Sequence, residues 1–91
     1  MSDVLLNFMQ EINQFCLSTS ISPEIRKELL FHGKRIRTLS PKFEQIIINQ
    51  HDSRTLMELR VNFVRGRTSD HLLAVEAIKG LADYLEQKVQ G

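Results

Sequence analysis

Ninety-one residues with a net charge of +1, 42% hydrophobic and 25% charged, have the proportions of one globular domain and not of a disordered or fibrous chain. A single cysteine, Cys16, excludes an internal disulfide and favours a reducing compartment. No apolar run reaches membrane-span length, and the acidic start MSDVLL lacks the basic end of a signal peptide, so a cytoplasmic location is expected.

The expected fold is all-α: a compact bundle of four to five helices making a single helical domain over residues 1–91. Ser2 and Asp3 are candidate caps for a first helix over residues 3 to 17. Its apolar stripe is Leu5, Phe8, Met9, Ile12, Phe15 and Cys16, at helical steps of three and four. The polar stretch 18 to 22 is a loop.

"SPEI" at 22 to 25 is a helix start, with Ser22 as cap and Pro23 where a missing amide hydrogen is harmless. "SPKF" at 40 to 43 repeats the device, which ends the second helix near Leu39 and begins a third over 41 to 50. The second helix buries Ile25, Leu29, Ile36 and Leu39. Gly33 lies on the same side, where it either admits a close neighbour or ends a shorter helix at His32; a continuous, weakened helix is preferred. The third helix buries Phe43, Ile46 and Ile47, and Asp52 or Ser53 caps the next element.

Residues 54 to 65, RTLMELRVNFVR, are ambiguous between helix and strand. Met57, Leu59, Val61 and Phe63 alternate with polar residues as in a strand, yet no partner strand is evident. The preferred helical reading buries the segment on more than one side and turns Arg60 into a core or an interface. The last helix, capped by Ser69, presents Ala74, Val75, Ile78, Leu81, Ala82, Leu85 and Val89 on one face. Glu76, Lys79, Asp83 and Glu86 lie opposite.

Charge is unevenly spread. The segments 1–23, 24–67 and 68–91 carry −2, +5 and −2. On a continuous second helix Lys27, Leu30, Lys34 and Arg37 share a face, with Arg26 beside them and Arg35 nearer Glu24 and Glu28. "RGRTSD" at 65 to 70 sets Arg65 and Arg67 around a flexible Gly66 ahead of a helix N-terminus. The candidate partner- or phosphate-binding residues are therefore Arg26, Lys27, Lys34, Arg35, Arg37, Arg60, Arg65 and Arg67.

Catalytic chemistry is not indicated. His32, His51 and His71 stand 19 and 20 residues apart, without metal-ligand spacing, and read as surface or boundary residues. Cys16 reads as core. No glycine-rich phosphate loop or acid–base pair is present. No enzyme, cofactor, metal or small-molecule substrate is expected.

The expected function is a small protein-binding regulator or adaptor acting through a basic helical face. The alternative is an accessory subunit of a nucleoprotein complex, touching phosphate backbone without reading sequence. Leu6, Leu17, Leu30, Phe31, Ile48 and Leu72 fall off the main apolar lines, which points to cover by a partner or a homo-oligomer.

Overall fold

The structure, a computed structural model, describes residues 3–46 and 49–90, and among these there are four helices and no strand. The proposed cap Ser2 and the apolar residues Ile47 and Ile48 lie outside the described residues. Helix α1 spans Asp3–Cys16. Its stripe packs as the periodicity demands: Leu5, Phe8, Ile12 and Phe15 are buried, and Met9 and Cys16 are partly so.

Helix α2 spans Pro23–Phe43. Ser22 caps it by accepting a hydrogen bond from the Ile25 amide. The helix runs through Gly33 without ending, as the preferred reading expects, but the close neighbour is not there: among the described residues nothing lies within 4 Å of where a Cβ on Gly33 would sit. The helix also runs through Pro41, so the separate helix over 41 to 50 does not exist.

Two features let α2 tolerate Pro41. The proline leaves the Arg37 carbonyl without its helical amide donor, and the Ser40 hydroxyl donates to that carbonyl instead, at 3.4 Å. Phe43, two residues on, is completely buried and holds the last turn in the core. Residues 44 to 46 then form a turn, with Ile46 partly buried.

Helix α3 spans Gln50–Ser69, capped by Asn49 and not by Asp52 or Ser53. The Asp52 amide donates to Asn49 Oδ1 at 2.8 Å, and the Asn49 amide donates to Asp52 Oδ2 at 3.3 Å. This reciprocal capping box sets the helix direction before the ambiguous segment begins, so the strand alternative for 54–65 does not hold. The alternating pattern mixes two helix faces. Asp52, Leu56, Phe63 and Gly66 are buried, with Leu59 packed beside them, whereas Met57, Val61 and Val64 are exposed. The segment is thus buried on one side only.

Helix α4 spans His71–Gln90. Its cap is Asp70, whose carboxylate accepts from the Leu72 amide at 3.1 Å. Ser69, the expected cap, closes α3 and donates to the Arg65 carbonyl. "RGRTS" is therefore the last turn of α3 and not a loop, and Gly66 is helical and buried there. The apolar face of α4 buries Ala74, Val75, Ala77, Ile78, Leu81, Ala82 and Leu85.

The helices form a two-by-two array. Extents of 37 × 21 × 18 Å give one helix length and two helix diameters in each short direction. Helix α4 packs on α2 and α3, and α1 packs on the same two, so α1 and α4 occupy opposite corners. Helices α3 and α4 are antiparallel: Gly66 meets Ala74 at one end and Asp52 meets Tyr84 at the other. Phe63 joins α3 to α1, its ring centroid 5.5 Å from Phe8 and 5.7 Å from Phe15. The diagonal places the outer faces of α2 and α3 on different sides of the molecule.

Candidate partner-binding surface

The eight candidate cations separate into those used inside the fold and those left outside. Arg26 is half-buried; its guanidinium donates to the Cys16 carbonyl and, at 2.6 Å, to the Ser18 carbonyl. It satisfies the open C-terminal end of α1. Arg35 reaches across to α4, donating to Asp83 Oδ1 at 2.8 Å and Glu86 Oε2 at 2.9 Å. The bonds to Asp83 and Glu86 raise its pKa above the ordinary arginine value. Arg60 bonds Glu11 of α1 at 2.5 and 3.0 Å. Arg67 lies over the Phe63 ring at 5.9 Å. These four are engaged within the bundle.

Lys27, Lys34 and Arg37 are exposed and form no ion pair among the described residues. Lys27 and Lys34 stand on the outer face of α2, opposite Leu29, Ile36 and Phe43, and Arg37 flanks them on the side nearer α1, beside Met9 and Ile12. Leu30 and Phe31 lie among them, 50% and 62% exposed. Phe31, Lys34, Arg35, Thr38 and Leu39 line a groove of about 420 Å³ with largely apolar walls. Arg65 is exposed separately, on the outer face of α3.

His32 is buried, not at the surface or boundary. Arg35 Nη1 lies 3.1 Å from its Nδ1, and Glu28 Oε2 lies 3.4 Å from its Nε2. These partners suit a ring that carries its proton on Nε2. Cys16 behaves as core: burial pushes its thiol pKa up, against the nearby positive charges of Arg26 and Arg37. A thiol so shifted makes a poor nucleophile.

One cluster has no local signal in the sequence. Asp52 Oδ1 accepts from the Tyr84 hydroxyl and from Lys88 Nζ at 2.8 Å. The bond to Lys88, then those to Tyr84 and the Asn49 amide, hold Asp52 down to about 2. Burial, then the bond to Asp52 and its charge, push Tyr84 up to about 12. Only capping chemistry marks Asp52 in the sequence; its partners are 32 and 36 residues away. Both shifts move away from neutrality, so neither group is poised for proton transfer near pH 7. The cluster is a clamp between the first turn of α3 and the last turns of α4.

Among the described residues no group of His, Cys, Asp and Glu is placed to hold a metal ion, and no helix is long and apolar enough to cross a membrane. Compared with protein-family models, curated proteins and solved structures, the chain matches none.

Proposed function

We propose that this protein is a regulator or adaptor that binds another protein through the outer face of α2. The observation that carries the reading is the exposure of Leu30 and Phe31 between Lys27, Lys34 and Arg37. Burying a leucine or a phenylalanine contributes about 1.5–3 kcal/mol. A hydrated phosphate backbone offers that surface no cover. An amphipathic acidic segment covers both kinds of residue: its apolar side chains enter the groove beside Phe31 and its carboxylates meet the lysines. The charges chiefly accelerate encounter, and the apolar pair holds the complex.

The test uses two double variants of the full chain. Lys34→Glu with Arg37→Glu reverses charge, and Leu30→Ser with Phe31→Ser removes the apolar pair. All four side chains point outward, so both variants retain the parental helix content. The tagged parent is used to capture a protein from the native host, and that protein is then titrated against all three forms. Loss of binding in both variants, with no affinity of the parent for single- or double-stranded oligonucleotides, supports the reading. Oligonucleotide binding that weakens steeply with salt, with a shallower slope in the charge variant alone, replaces it with the phosphate-backbone reading. Parental binding by both variants leaves the α2 face a solvated surface and ends the proposal.

A further inference from the structure

The outer face of α3 carries a second apolar stripe. Met57, Val61 and Val64 are 43%, 48% and 36% exposed. With Arg54 before them and Thr68 after, they recur at steps of three, four, three and four. That is the spacing of a helix–helix seam. The seam faces away from the buried line of Leu56, Phe63 and Gly66, so no other helix among the described residues reaches it. Arg54, Met57, Glu58, Val61 and Asn62 border a shallow groove along it, of about 420 Å³.

We propose that α3 is a self-association helix and that a second copy of this chain packs on it antiparallel, about a two-fold axis between Val61 and Val64. The charges beside the stripe select the occupant. Glu58 and Arg65 lie on one edge of the seam, one on each side of its midpoint. With Val61 set against Val64 of the second copy, and Met57 against Thr68 of the second copy, Glu58 comes within two residues of level with Arg65 of the second copy, an axial offset of about 3 Å that these side chains span. The two-fold axis repeats the pair. A face that complements itself in this way is what an isologous dimer requires.

The parallel alternative stacks Arg54 on Arg54 in the seam and leaves Arg65 with no acid opposite it. Arg60 is already committed to Glu11, so it does not turn outward to pair with Glu58 of the second copy. Orientation is therefore dictated by the charge pattern, while Met57, Val61 and Val64 supply the burial. The dimer leaves the outer face of α2 open on each protomer. Two such faces on one particle strengthen attachment to any repeated or paired target by avidity.

Sedimentation of the full chain under reducing conditions, across micromolar concentrations, tests this. The parent is expected to be a reversible dimer. Glu58→Arg alone and Arg65→Glu alone each set like charges together twice and raise the dissociation constant about ten-fold or more. The combined variant restores the pair in reverse and returns to near-parental association. Val61→Asp, in the middle of the seam, gives a folded monomer, checked by its helical circular dichroism; Leu30→Ser on α2 changes nothing. A parent that stays monomeric throughout overturns the proposal. So does a combined variant no stronger than either single one, or a dimer that survives Val61→Asp but not Leu30→Ser.

Discussion

Gly66 of α3 and Ala74 of α4 meet backbone to backbone: a Cβ on Gly66 would lie 2.2 Å from the Ala74 nitrogen and 2.8 Å from its Cα. The two helices are joined through the single residue Asp70, and the close approach follows from so short a connection. No side chain can yield here, because the obstructing atoms are main chain. Gly66→Ala is expected to force the helix pair apart at a cost of about 3 kcal/mol, which lowers the melting temperature by about 10 °C or more in a domain of this size.

The same substitution at Gly33 has the opposite sign. A Cβ there meets open space, and alanine holds helical geometry better than glycine by about 1 kcal/mol. Gly33→Ala is expected to raise the melting temperature by about 4 °C. Thermal unfolding of the two variants side by side decides the matter; equal effects contradict the packing described.

These glycines show how far the sequence is legible. Periodicity identifies the buried faces of α1 and α4 because each helix buries a single stripe. It does not tell which glycine is crowded, since crowding depends on a neighbour brought in by tertiary packing. The roles of Gly33 and Gly66 are accordingly reversed between sequence and structure. In α3, alternation over 54 to 65 misleads because Met57 and Val61 belong to an outer face that resembles core in composition. For the candidate surface, helical spacing alone puts Lys27, Lys34 and Arg37 together. That Arg26, Arg35 and Arg60 are engaged elsewhere depends on carbonyls and acids on other elements, which no local pattern reveals.

Pro41 and Ser40 are energetically coupled. The Ser40 hydroxyl serves the carbonyl that Pro41 deprives of an amide. Ser40→Ala is expected to lose about 1 kcal/mol by removing that carbonyl's remaining donor. Pro41→Ala restores the amide and is expected to stabilise by about 1 kcal/mol, since the helix continues for another two residues. In the Pro41→Ala background Ser40→Ala should be close to neutral. Additive effects in chemical denaturation would show that the hydroxyl serves no such role.

Arg60 and Glu11 form the polar link between α3 and α1, with side chains 32% and 20% exposed. Glu11 Oε1 receives both arginine donors, while Oε2 is shielded and has no hydrogen-bond partner among the described residues. Among those residues the carboxylate is matched by Arg60 alone. Arg60→Met is expected to destabilise by about 1–2 kcal/mol, below the value for a fully buried pair because water still reaches both groups. Adding Glu11→Leu removes the stranded charge and should recover most of the loss. Arg60→Met at parental stability in urea would show that the pair contributes nothing to the fold.

The clamp of Asp52, Tyr84 and Lys88 gives stability a pH signature at both ends. Asp52 falls from an ordinary 3.8 to about 2, first through its bond to Lys88. A depressed carboxylate contributes stability above its unfolded value, and that contribution is lost as pH falls from about 3.8 through 2. Tyr84 rises from 10.0 to about 12, first through burial. The folded state keeps a proton that the unfolded state gives up, so this contribution is intact below pH 10 and lost as pH rises towards 12. Asp52→Asn should flatten the acid limb of a stability–pH curve, and Tyr84→Phe the alkaline limb. Tyr84 is the sole tyrosine, and there is no tryptophan, so phenolate absorbance reports its titration without interference. A native titration midpoint near 10 would show that the hydroxyl is free of Asp52 and open to water, and the clamp would have to be abandoned.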